Sequence, residues 1–205
     1  MILISSKEKD SLFTAAINIY QYGSIVYGTY NKETSDVDYV VIIPDASNFP
    51  EQAYIEKEQF NIFKESNWLK MCQNAAITAV ETYFLDNKFI IKENHKYEVN
   101  LTTENIRREF SAVASNSFVK AKKKLIVEKD FEPYIAKKSL WHSLRLLMFE
   151  KQLLSEGKIY NYQEANYFYE DITNNSVNDW NFYKEKYQPI YNSLKTECRL
   201  LEHKY

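Results

Sequence analysis

Asp36 and Asp38 stand two residues apart at the head of the apolar run Tyr39 to Ile43, within the stretch YGSIVYGTYNKETSDVDYVVIIPD, residues 22–45. The run reads as a buried strand. Alternation along a strand sends both carboxylates to one face, about 6–7 Å apart. Packing gives no reason for two carboxylates at the start of a buried strand. They suit Mg²⁺, which takes oxygen ligands and is usually held by one or two carboxylates plus substrate phosphates. Upstream, Gly23 and Ser24 offer a tight backbone turn and a hydroxyl, suited to holding a phosphate. Ser35, next to Asp36, is either a substrate contact or a loop-to-strand cap.

Gly-Ser, a spacer with a further glycine (Gly28), then Asp-x-Asp leading into a strand resembles the signature of the DNA polymerase β-like nucleotidyltransferase superfamily. A looser likeness extends along the chain to a branch of bacterial and phage predicted nucleotidyltransferases, the YcgL-like group. Its pattern ending in Glu-x-Leu-Phe is matched in part by Glu81 and Phe84-Leu85 in WLKMCQNAAITAVETYFL. Its later His-x-x-Arg-Leu-Leu helix is similar to LWHSLRLLMFEKQLLSEGKI, with His142, Arg145 and Gly157 in place. The C-terminal half resembles the helical tail of kanamycin nucleotidyltransferase-like proteins.

The resemblance implies an α+β fold, with a small mixed-sheet head over residues 1–100 and a helical lobe over residues 101–205. It implies a Mg²⁺-dependent (or Mn²⁺-dependent) enzyme that transfers NMP from an NTP such as ATP to a hydroxyl. The implied metal ligands are Asp36 and Asp38. Gly23, Ser24, Ser35, His142 and Arg145 are implied to bind substrate. The acceptor stays open among protein side chains, RNA or tRNA ends and small molecules, since one fold hosts many.

The resemblance also exposes a departure. The superfamily uses a third carboxylate on a neighbouring strand, and alignment backward from Glu81 puts Gln59 there. A Gln cannot take a proton, though its oxygen can coordinate a metal. Glu58 should point to the opposite face unless a bulge turns it, and Asn61 shares Gln59's face. Glu81 is either the substitute catalytic carboxylate on the helical side or a structural carboxylate at the lobe boundary, satisfied by backbone or Arg. The alternative is a degraded site that binds nucleotide or RNA as a regulator or antagonist.

The elements that must hold these residues follow from pattern. Ser5 or Ser6 caps a first helix through about Ile17, with Leu12, Ala15 and Ala16 inward. Residues 19–22 form a strand ending at Gly23. Residues 53–63 read as one further strand. Helical spacing begins at Ser66. Beyond residue 100, helices are expected from Thr102 or Thr103 to Lys124, from Glu132 to Glu156 with Gly157 as terminator, from Gln163 to Asp171, and from Asn178 with a kink or split at Pro189.

His142 and Arg145, three apart, share a helix face, and Arg145 suits a phosphate or a structural pair. Lys120, Lys122, Lys123 and Lys124 fit a solvated helix end better than an RNA site. Tyr160, Tyr162, Tyr167, Phe168 and Tyr169 fit core better than base stacking.

A net charge of −2 makes no global case for nucleic acid. Cys72 and Cys198 lack metal-like spacing and read as thiols in a reducing compartment. With no signal-peptide pattern and no apolar run of membrane-spanning length, a cytoplasmic location away from membranes is expected.

Overall fold

Ser5 starts the first helix by a reciprocal cap. Its hydroxyl accepts from the Glu8 amide at 3.3 Å, and the Glu8 carboxylate accepts from the Ser5 amide at 2.8 Å. The structure, a computed structural model, describes residues 2–201. It divides into two compact units, one up to Asn100 and one from Leu101 on.

The first unit contains β1 (Ile2–Leu3), α1 (Ser6–Ala15), β2 (Asn18–Tyr22), α2 (Ser24–Tyr27), β3 (Val37–Ile43), β4 (Gln52–Ile55), β5 (Glu58–Lys64), α3 (Glu65–Gln73), α4 (Ile77–Tyr83) and β6 (Ile90–Glu93). The sheet order is β1-β4-β5-β3-β2-β6. β3 runs parallel to β5 and antiparallel to β2, so the sheet is mixed.

One sheet face packs on α1. Leu12 and Ala16 meet Ile19, Val41, Ile43, Ala53, Phe60 and Ile62 in one buried cluster. Removing that apolar surface from water favours the sandwich by about 25 cal/mol per Å². Alternation and register put Asp38, Val40 and Ile42 on the other face, beside Gln59, Asn61 and Phe63 of β5. There α3 covers Phe63 with Trp68, ring centroids 5.4 Å apart.

The stretch expected as one strand over 53–63 is instead the hairpin of β4 and β5, turning at Glu56-Lys57. Glu56 takes a positive φ of 53° there, a conformation usually left to Gly or Asn. The helical stretch from Ser66 is two helices. Ala75, buried with φ 52°, breaks it. β6 stands at the sheet edge against β2, where no strand was expected.

The second unit is helical: α5 (Thr103–Ile106), a π-helical segment (Arg107–Ser111), α6 (Ala112–Ile126), α7 (Pro133–Glu156), α8 (Asn166–Thr173) and α9 (Trp180–Leu200). α7 is buried along most of its length and packs on α6, α8 and α9. Gly157, at φ 71°, ends it in the left-handed conformation. Of the kink or split expected at Pro189, the split is absent, since α9 continues through that residue.

Of the aromatics near α8, Phe168 is core, and Tyr162 and Tyr169 sit edge-on to Phe149 and Trp141. Tyr160 and Tyr167 are exposed. Lys123 and Lys124 of the basic run pair with Asp130 and Glu132. Among the described residues no helix is long and apolar enough to cross a membrane.

Candidate active site

The site is built where β2 ends. Gly23 has φ 69° and ψ −141°, backbone that residues with a side chain rarely adopt. It releases the chain from β2 into α2. Gly28, left-handed at φ 70°, closes the turn behind it. The Tyr27 amide donates to the Gly23 carbonyl at 3.1 Å, and the Thr29 amide to the Ser24 carbonyl at 2.9 Å.

Asp38 lies against this turn. A Cβ built on Gly23 would stand 2.2 Å from Asp38 Oδ2 and 3.0 Å from its Cγ. Glycine is therefore required twice, by its dihedrals and by the carboxylate filling the space. Asp38 is partly buried, while Asp36, just ahead of β3, is exposed.

On the neighbouring strand, Gln59 pairs in register with Asp38. The β3–β5 pairing runs without a shift from Val37–Glu58 to Ile43–Lys64. No bulge therefore turns Glu58 toward Asp38. Glu58 lies on the opposite face, where its carboxylate accepts from Lys9 and from the Tyr39 hydroxyl at 3.2 Å. Burial and the Glu58 charge push the Tyr39 phenol up to about 12.

Glu81, on α4, is wholly buried. Its carboxylate accepts from the hydroxyls of Tyr22 and of Tyr27, the latter at 2.5 Å. These tyrosines bracket the Gly23–Ser24 turn, Tyr22 immediately before it and Tyr27 at the end of α2. Their rings meet edge-on with centroids 6.0 Å apart. The bracket is absent from the sequence reading. Its only sequence signals are two tyrosines flanking Gly-Ser and one carboxylate in an apolar helix.

Ser35 works within its own loop. Its hydroxyl accepts from the Asn31 amide at 3.1 Å, and its amide donates to the Asn31 carbonyl at 2.8 Å. His142 and Arg145 belong to the second unit, where Arg145 Nη2 lies 3.0 Å from His142 Nδ1. Arg145 is 4% exposed and stacks over Trp141 and Phe149, 4.8 and 5.6 Å from the ring centroids. Burial, then the Arg145 charge, pushes the His142 imidazole down to about 3. Its ring is therefore neutral at ordinary pH.

Among the described residues no group of three or more His, Cys, Asp or Glu forms a metal cage. Asp36, Asp38 and the side-chain oxygen of Gln59 are hard oxygen donors of the kind that could hold a small divalent cation together with phosphate and water.

The family model described as a nucleotidyltransferase domain matches residues 5–200. No curated protein matches the chain. With a Gly-Ser turn packed on Asp-x-Asp and a family match across nearly the whole length, the chain belongs to the nucleotidyltransferase domain family.

Proposed function

We propose that this chain transfers a nucleoside monophosphate from an NTP to a hydroxyl acceptor, with Mg²⁺ or Mn²⁺ held by Asp36 and Asp38. The observation that carries the reading is the Asp38 carboxylate packed against Gly23. It brings a glycine turn suited to a phosphate and a carboxylate suited to a metal ion close together, which supports the reading. When bound, the divalent ion would neutralise phosphate charge at the α-phosphorus.

Ser24 and the backbone of the turn bind the outer phosphates in this reading. The acceptor oxygen bonds to the α-phosphorus, the bond to pyrophosphate breaks, and the hydroxyl proton leaves. Gln59, opposite Asp38, cannot take that proton. In this reading it is released to solvent water. Glu81, wholly buried and held by two tyrosine hydroxyls, serves in this reading as a positioning residue that fixes Tyr22 and Tyr27, and through them the turn.

Gln59 also favours a second reading, a nucleotide-binding regulator with little turnover. Buried free thiols at Cys72 and Cys198 support a cytoplasmic setting for either. Incubation with each α-³²P-labelled NTP, Mg²⁺ or Mn²⁺ and mixed acceptors separates the two. The transferase predicts label on an acceptor with wild type and none with Asp36→Ala/Asp38→Ala. Metal-dependent nucleotide binding without transfer would establish the regulator.

A further inference from the structure

We infer that Lys57 is a positioning residue of the candidate site, clamping the loop that presents Asp36 beside Asp38. This rests on the reading of the two aspartates as metal ligands. Lys57 is the second residue of the turn between β4 and β5. Its ammonium donates to the Lys32 carbonyl at 3.0 Å and to the Glu33 carbonyl at 2.9 Å. Its own carbonyl accepts from the Val37 amide at 2.7 Å. One residue thus holds the chain on both sides of Ser35 and Asp36.

The two aspartates differ in what fixes them. Asp38 lies inside β3, paired with Tyr22 on one side and Gln59 on the other, and packs against Gly23. Asp36 lies one residue before β3 and is exposed. Among the described residues no hydrogen bond or ion pair holds its carboxylate. Its direction is therefore inherited from the backbone of the preceding loop.

That loop is shaped from within by Asn31. The Asn31 carbonyl accepts from the Thr34 amide at 3.2 Å and from the Ser35 amide at 2.8 Å, and Asn31 Oδ1 accepts from the Glu33 amide at 2.8 Å. These bonds all run within residues 31–35, so they do not attach the loop to the sheet. Attachment comes from the Thr29 amide on the Ser24 carbonyl at one end, from the Val37 amide on Lys57 at the other, and from the Lys57 ammonium between them.

The residue type suits the task. An ammonium has three donors and no acceptor, and its four-carbon stem spans from the turn to two successive carbonyls. Hydrogen bonds from an ionised donor are roughly twice as strong as neutral ones. At an exposed position they add little to global stability, so the effect is local to the loop.

Electrostatics alone argues for the opposite outcome. The strand register, continued one step before the Val37–Glu58 pair, sets Lys57 next to Asp36. A cation there repels a divalent ion. Removing a mere charge would tighten metal binding, whereas removing a clamp loosens it. One variant therefore separates the two roles by sign.

The test compares the full-length wild type with Lys57→Met and Lys57→Arg. Mn²⁺ binding, alone and with a non-hydrolysable NTP, is read from the loss of the free-ion electron-spin resonance signal. Amide hydrogen exchange is followed over residues 29–36. Lys57→Met is expected to weaken Mn²⁺ binding about tenfold. It should speed exchange of the Thr34 and Ser35 amides about tenfold while Tm stays within about 2 °C of wild type. Lys57→Arg, which can still donate to both carbonyls, should restore most of both effects.

Unchanged exchange in Lys57→Met would overturn the clamp. Faster exchange with Mn²⁺ binding unmoved or tightened would overturn its link to Asp36. If wild type binds Mn²⁺ neither alone nor with the NTP, the metal reading fails for every variant alike, and exchange by itself decides whether Lys57 holds the loop.

Discussion

Asp38 and Gln59 stand side by side on parallel neighbouring strands, paired in register on one face of the sheet. An acidic residue at Gln59 would meet an acceptor hydroxyl where the amide cannot deprotonate it. Gln59→Asp is therefore expected to raise the rate of label transfer by about 10²-fold, the lower end of a general-base contribution. A rising acid limb should appear in its pH–rate profile. Initial rates across pH, with wild type alongside, check this.

Gly23→Ala should be severe for two separate reasons. The new Cβ would meet Asp38 Oδ2 at 2.2 Å, and the backbone conformation is one that glycine adopts almost alone. Loss of about 2 kcal/mol or more in stability is expected, together with loss of nucleotide binding. Chemical denaturation and nucleotide titration read the two effects. A variant that still bound nucleotide as wild type does would contradict the phosphate role of the turn.

The Tyr22–Glu81–Tyr27 bracket should act through geometry. Tyr27→Phe removes one hydrogen bond to a buried carboxylate, at a cost of about 1.5–3 kcal/mol. If Glu81 positions the turn, Tyr27→Phe and Glu81→Gln should raise KM for NTP while leaving the pH dependence of kcat unmoved. A shifted pH profile in Glu81→Gln would instead make Glu81 a participant in proton transfer.

Glu150 in the second unit gives stability a pH dependence of opposite sign to that of an ordinary ion pair. Its carboxyl is 1% exposed, and burial pushes it up to about 7, although Ser111 donates to both oxygens at 3.0 and 2.8 Å and the charges of Arg107 and Lys195 pull the other way. The folded protein holds this proton while the unfolded chain releases it near pH 4.3. The contribution is therefore complete below about pH 4.3 and is lost as pH rises through 7. Its size is at most about 4 kcal/mol. Glu150→Gln should flatten the fall between those values in urea melts taken across pH.

His142 adds a second slope of opposite sign that overlaps the lower part of that window. With its folded value near 3, the unfolded chain takes up the proton first, and stability falls as pH drops below about 6.5. His142→Gln should remove this part. Paired melts at pH 4 and pH 7 check it.

The parts of the fold readable in the sequence are those with strong local signals. Ser5 or Ser6 ahead of the first helix, the apolar run into Ile43 and Gly157 after a long amphipathic stretch each mark an element by its own chemistry. The hairpin at Glu56-Lys57 hides because a residue with a side chain occupies the left-handed position, where Asn or Gly would announce it. Ala75 conceals the break between α3 and α4 in the same way. β6, four residues long and partly exposed, is a strand only because β2 offers an edge.

At the site, the spacing of Gly23, Ser24, Asp36 and Asp38 is a linear signal. That Gln59 faces Asp38, and that Glu81 reaches two tyrosines, depends on strand register and helix placement. No short window of sequence carries that information.

The bracket also bears on how the site meets its ligand. A turn pinned by two phenols on one buried carboxylate is shaped before anything arrives. Little loop entropy is then left to lose on association, so the encounter should be a single step. In stopped-flow mixing, the observed rate would climb linearly with nucleotide concentration instead of levelling at the speed of a closing loop.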